Sequence, residues 1–147
     1  MYKNLLVPVD GTELTEQAMS GSIELAKQLG ATITAFVAES LPPLPQIGRT
    51  ARQVEIENTL HDERTARHAE AVLKRFEERA REAGVGFSGH HAQALRTEDA
   101  IVDAAKEHGC DMIVMTTHGR GALGELLFGA HTKGVMARSK LPLLVLH

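Results

Sequence analysis

Apolar runs of four or five residues alternate with longer amphipathic stretches along this chain, and that alternation predicts its elements. Leu5–Val9 reads as a buried strand. Leu14, Ala18, Ser22, Leu25 and Leu29 recur at three- and four-residue intervals, as one face of a helix requires, and Gly30 stands where such a helix stops. Ile33–Val37, β-branched and aromatic, predicts a second strand. Pro42, Pro43 and Pro45 then mark a loop that no regular element can cross. From about Ala51 to Ala83 the pattern is helical and charged, with Ala69, Val72, Leu73, Phe76, Ala80 and Ala83 as its apolar stripe and Gly84 as its end. Phe87 to Leu95 makes a third, weaker strand, and Thr97 can cap a short helix carrying Ile101, Ala104 and Ala105. Met112–Met115 predicts the fourth strand, about Leu126 to Ser139 the fourth helix, and Pro142–Leu146 the fifth strand.

Strands written as continuous apolar runs and joined by helices imply a parallel sheet covered by helices on both faces. No linker, repeat or low-complexity stretch interrupts the pattern, so residues 1–147 are expected to form a single α/β domain. Pro8 is the one misfit, since proline cannot donate to a sheet ladder. The conflict disappears if Pro8 lies at the carboxyl end of its strand, where pairing fails. Ligands of open α/β sheets sit outside those ends, where the strand order reverses, and Asp10 would then face that crevice.

Composition narrows the partners. A net charge of −3 with four Phe and one Tyr argues against nucleic-acid binding, which favours a basic face and aromatic platforms. No run of about 18 apolar residues is present to span a membrane. Pro8 and Asp10 break up the apolar start too early for a signal peptide, so a cytoplasmic location is expected. Cys110 is the only cysteine, which rules out an intrachain disulfide.

The chemistry concentrates near the C-terminus. Met112–Met115 runs into Thr116-Thr117-His118-Gly119-Arg120-Gly121, and Gly129 follows near another helical stretch. A strand, a glycine-containing turn and a helix N-terminus together can hold an anion, because free backbone N–H groups and the helix dipole converge there. His118 and His131 flank this place. From spacing alone, a phosphate cradle and a plain loop fit equally well.

Stricter motifs fail. Gly119 to Gly124 spells G-x-G-x-x-G, but no acidic residue follows Glu125 to hold a ribose. Gly124 to Gly129 has P-loop glycine spacing, with Ala130 and His131 where Lys and Ser/Thr are needed. Eight histidines invite a metal reading, yet His61 and His68 stand two helical turns apart and His90 and His91 point to opposite faces of a strand, so no metal site is expected. No G-x-S-x-G elbow occurs, and Asp10 and His118 alone do not make a convincing catalytic constellation, so binding is expected rather than catalysis, with a weak hydrolase as a further reading. Asp10 remains the best functional carboxylate, with capping of the following helix as a role it could hold at the same time.

Val7-Pro8-Val9-Asp10-Gly11-Thr12, Met115 to Arg120, Gly129 and Leu141-Pro142-Leu143-Leu144-Val145 resemble the universal stress protein family over essentially the whole chain. That resemblance implies a Rossmann-like, adenine nucleotide α-hydrolase-like fold: five parallel strands in the order 3-2-1-4-5 flanked by four helices. It also implies ATP or another adenine nucleotide, with or without Mg²⁺, as cofactor. Asp10 and the backbone of Val37 would meet the adenine edge, with Gly11 and Thr12 beside them and Pro8 and Met115 as apolar walls. Gly119, Gly129 and the backbone around Ala130 and His131 would meet phosphates, with Arg120 and His118 adding polar groups and Thr132 a hydroxyl.

The family's nucleotide motif is G-x-x-G, nine residues, then G-Ser/Thr. Here Thr116 replaces the first glycine and Ala130 the closing hydroxyl residue. Those two departures define the alternative reading, an interaction module of the same fold that binds no nucleotide. Both readings share a homodimer, formed when the last strand, Leu143–Leu146, pairs with its copy and buries an apolar edge. Protein partners beyond a second copy are not legible in the sequence.

Overall fold

The computed structural model describes residues 1–117 and 131–147 with their side chains; between them it describes only the secondary structure of 119–120, 126–127 and 130. Among the described residues, seven strands and four helices follow in chain order: β1 (Asn4–Pro8), α1 (Leu14–Leu29), β2 (Thr32–Glu39), α2 (Ala51–Glu82), β3 (Phe87–Gln93), α3 (Thr97–Glu107), β4 (Met112–Thr116), β5 (Gly119–Arg120), β6 (Leu126–Leu127), α4 (Ala130–Arg138) and β7 (Leu143–Leu146). The main sheet is parallel throughout, in the order β3-β2-β1-β4-β7. This is the expected five-strand order 3-2-1-4-5, with β7 as its fifth strand.

Side-chain alternation explains why two helical layers are needed. Leu5 and Val7, Ile33, Ala35 and Val37, and Val114 project into one core with α1 and α2. Leu6, Phe36, Ile113 and Met115 project into a second core with α3 and Val135 of α4. A strand apolar on both faces is stable only when both faces are covered.

The helices follow the expected periods with informative shifts. In α1 the buried face is Thr15, Ala18, Met19, Ser22, Ile23 and Ala26, turned by about one residue from the predicted stripe, and Leu29 is 41% exposed. The shift puts small side chains against the sheet, and the Ser22 hydroxyl donates to the Ala18 carbonyl at 2.5 Å, so it is buried without being stranded. A capping box of Thr50 and Gln53 starts α2, and Ala69, Val72, Leu73, Phe76 and Ala80 pin its C-terminal half to the sheet. The helix is about 48 Å long at 1.5 Å per residue. Its N-terminal half buries no residue.

Two expectations change. Thr97 is the first residue of α3 and not its cap, a position held by Arg96 without a side-chain bond. The fourth helix starts at Ala130; Leu126–Leu127 instead pairs antiparallel with Gly119–Arg120 as a short ribbon. A four-residue apolar period cannot reveal that pairing, because the partner lies in another segment.

Pro8 behaves as its chemistry demands. Val9 donates its N–H to Phe36 on the β2 side, so by strand alternation the position of Pro8 faces β4. The β1–β4 ladder has already ended at Leu6↔Ile113. No bond is lost to the missing N–H.

Candidate functional site

Beyond Leu6 and Ile113 the two central strands part. β1 stays paired with β2 as far as Pro8↔Phe36, and β4 with β7 as far as Thr116↔Leu146. The strand order reverses between β1 and β4, which is where open α/β sheets form a crevice. A cavity of about 400 Å³ occupies this place. Pro8, Val9 and Asp10 enter it from β1 and the turn after it, and Met115, Thr116 and Thr117 from β4 and just beyond. Leu14, Thr15 and Ala18 of α1 close one side. Phe36 and Ala38 of β2, Thr97 and Ile101 of α3, and His131 and Thr132 of α4 close the other.

The turn after β1 is tied to the start of α1. Asp10 Oδ1 accepts from the Thr12 N–H at 3.0 Å, the Thr12 hydroxyl at 2.7 Å and the Thr15 hydroxyl at 3.3 Å. The Gly11 N–H donates to Thr15 Oγ1 at 2.9 Å. Gly11 has φ +82°, where a side chain is strained, and a Cβ there would stand 2.6 Å from the His68 ring. Asp10 is therefore held by one oxygen, while its Oδ2 has no hydrogen-bond partner among the described residues.

Across the crevice, the Thr116 hydroxyl is buried with no hydrogen-bond partner among the described residues. Hydroxyls are rarely left so, because stranding one costs on the order of 1–3 kcal/mol. At the rim, His131 Nδ1 and Glu98 Oε2 lie 3.2 Å apart and join the first turns of α3 and α4. The Glu98 carboxyl is held below its ordinary range first by its own backbone N–H and then by His131.

Pro8, Asp10, Met115, Thr116, His131 and Thr132 are thus brought together as expected positions of one cavity. Gly11 and Thr12 are not on its lining; they shape the turn that carries Asp10. Val37 is not on the lining. Ile33 donates to Gly86 and Glu39 accepts from Ala94, so odd-numbered positions of β2 present their backbone to β3, and Val37 pairs with His91 with its side chain in the core. Its neighbours Phe36 and Ala38 line the cavity instead. His118 and Gly129 lie outside the described residues, and Gly119, Arg120 and Ala130 are described in secondary structure only.

Sequence reasoning missed Val9, Leu14, Thr15, Ala18, Phe36, Ala38, Thr97, Ile101 and Thr117. The period-two pattern named the right strand for Phe36 and Ala38, but an all-apolar strand carries no signal for which positions face the crevice. Thr97 carried a signal, a hydroxyl just after the third strand, that was read as a cap.

Among the described residues no three His, Cys, Asp or Glu groups stand together. His90 stacks on His108 with centroids 3.8 Å apart, and burial first, then the His108 charge, lowers the His90 pKa. His91 bonds Glu39 on the other face. No helix among the described residues is long and apolar enough to cross a membrane.

An open parallel sheet with a ligand-sized crevice at its strand reversal, closed by the first turns of helices, defines a doubly wound α/β fold. The chain belongs to the universal stress protein family, which it matches over residues 1–147. It is 26% identical over 145 residues to a universal stress protein of Methanocaldococcus jannaschii, covering 99% of this chain and 82% of that one. The structure of universal stress protein UspA from Lactobacillus plantarum superposes with a TM-score of 0.80 at 21% identity, covering 99% of this chain and 98% of that one. The universal stress protein of Archaeoglobus fulgidus in complex with dAMP superposes with a TM-score of 0.65 at 22% identity, covering 99% and 98%.

Proposed function

We propose that this protein binds an adenine nucleotide in the crevice between β1 and β4, and that occupancy regulates it without chemistry on the ligand. The observation that carries the reading is that Asp10, whose Oδ2 has no hydrogen-bond partner among the described residues, and the stranded hydroxyl of Thr116 line one cavity together with the apolar Pro8, Phe36, Ile101 and Met115. A purine has the matching character, with flat apolar faces and a polar edge. Pro8, Phe36, Ile101 and Met115 supply walls for the base, and Asp10 Oδ2 supplies an acceptor for an amino or hydroxyl donor. The N-terminus of α4, which begins at Ala130, offers unpaired N–H groups for a phosphate, with Thr132 beside them. The dAMP complex of the Archaeoglobus relative supports the ligand class. Among the described lining residues Asp10 is the only carboxylate and His131, which pairs with Glu98, the only imidazole.

Titration with AMP, ADP and ATP, with and without Mg²⁺, while following thermal unfolding tests this directly. A ligand at a hundred times its Kd adds about 2.7 kcal/mol of stability. An unchanged melting temperature at millimolar nucleotide would favour the interaction module. Thr116→Val sharpens the test, because its two effects have opposite signs. Removing a stranded hydroxyl should stabilise the free protein by about 1 kcal/mol, while losing a ligand hydrogen bond should weaken nucleotide affinity severalfold. Loss of stability together with unchanged affinity would show that Thr116 does not contact the ligand.

The same reading carries a two-chain assembly through β7. Ile113 donates to Pro142 and Thr117 donates to Leu146, so even-numbered positions of this strand face β4, and the N–H groups of Leu143 and Val145 face away from the sheet. Light scattering should give a two-chain mass for the wild type. Val145→Pro, which removes an outward N–H and leaves the β4 ladder intact, should give a folded single chain. A two-chain mass for both would place the interface elsewhere.

A further inference from the structure

Helix α2 does more than cover one face of the sheet. Near its middle it touches the carboxyl ends of three adjacent strands. Asp62 Oδ1 accepts from the Gln93 side chain at 2.6 Å, at the end of β3. His61 Nε2 lies 3.0 Å from the carbonyl of Ser40, the residue after β2. Two turns later, His68 Nε2 lies 3.0 Å from the carbonyl of Asp10, beyond the end of β1. A carbonyl oxygen only accepts, so in both pairs the imidazole donates through Nε2–H.

The last contact falls on the turn that carries the ligand-facing carboxylate. Asp10 is anchored from within its own loop through Oδ1, and from outside through its main-chain oxygen by His68. Gly11 packs against the same ring so closely that a Cβ would reach 2.6 Å from Nε2. Hydrogen bond and close approach are separate observations, and both put the His68 ring directly against Asp10–Gly11. The half of α2 before Ala69 buries no residue, so these edge contacts, together with the Arg49–Glu57 ion pair to the preceding loop, help to hold it down.

We propose that His68 is a positioning residue for the nucleotide site: its Nε2–H bond to the Asp10 carbonyl fixes the turn that aims Asp10 into the crevice, and thereby couples occupancy of the crevice to the exposed half of α2. Coupling of this kind runs both ways, so anything that grips residues 51–68 changes ligand affinity by the factor that ligand changes the grip. The ligand part of the proposal rests on the nucleotide reading; the tie between His68 and the turn does not.

The test compares wild type, His68→Ala and His68→Gln by amide hydrogen exchange and by AMP titration. Glutamine carries an amide N–H that can reach the same carbonyl; alanine carries none. Without ligand, His68→Ala should raise exchange about tenfold in peptides covering residues 10–15 and 61–68, with His68→Gln close to wild type. AMP should bind about tenfold more weakly to the alanine variant and near normally to the glutamine variant. AMP should also slow exchange across residues 51–68 in wild type and His68→Gln, and not in His68→Ala. The melting temperature should change little, because His68 is exposed. Unchanged exchange at residues 10–15 in His68→Ala overturns the proposal whatever AMP does, and so does weakened binding that glutamine fails to restore. If the wild type binds no AMP, the nucleotide reading falls and the exchange comparison alone decides the tie.

Discussion

Asp10→Asn should cost the protein at least tenfold in nucleotide affinity while leaving its melting temperature within about 2 °C of the wild type. The substitution keeps the shape of the side chain. The three donors that converge on Oδ1, from Thr12 and Thr15, orient the amide so that its oxygen takes that place. The amide nitrogen then points where Oδ2 pointed and presents N–H groups to a ligand donor. A hydrogen bond to a charged group contributes about 1.5–3 kcal/mol, and each 1.4 kcal/mol is a factor of ten. The turn keeps its bonds, so stability is retained. Asp10→Ala should lose both, since the Gly11–Thr15 turn then has no acceptor at its centre. Calorimetric titration beside thermal unfolding separates the cases. Equal affinity in wild type and Asp10→Asn would remove Asp10 from the site.

Phe76→Ala should lower unfolding stability by about 3–5 kcal/mol, a large share of the 5–15 kcal/mol that holds a typical domain together. Phe76 is fully buried and lies at a tilted 51° to the ring of Phe87, with centroids 5.1 Å apart. It is the largest of the fully buried side chains by which α2 adheres to the sheet, so truncation opens a cavity at the junction of helix and β3. Ile56→Ala, on the outer half of the same helix where Ile56 is half-exposed, should change stability by less than about 0.5 kcal/mol. Urea unfolding of the pair gives the contrast. A loss below about 1.5 kcal/mol for Phe76→Ala would mean that α2 is held by something other than its C-terminal stripe. The two predictions meet in α2, because the helix that Phe76 anchors also carries His68.

Much of the architecture could be read from residue patterns. Val114 beside Ile113, and Leu5 beside Leu6, announce strands with two covered faces, and the helical periods of residues 14–29 and 69–80 supply the covers. The sheet order came from family resemblance, since local periods say nothing about which strands neighbour each other. Part of the site was readable for a chemical reason: Pro8 cannot donate to a ladder and so marks a strand end, and the carboxylate two residues on stands beside it. Thr116 was visible as a departure from the family motif. That its hydroxyl is stranded was not, because satisfaction of a polar atom depends on every group packed around it.

The sequence by itself determined the five strands of the main sheet and their helices, the order of these along the chain, and the chemistry available at the strand ends. Those are consequences of local steric preference and of the partition between apolar and polar positions. Only the tertiary structure decided that β1 and β4 part after Leu6 and Ile113, that Phe36 and Ala38 face the crevice while Val37 turns to β3, and that α2 reaches across three strand ends to the turn at Asp10. Each of these is a matter of register or contact between distant segments. An apolar strand can satisfy its own pattern in either phase, so its neighbours make the choice.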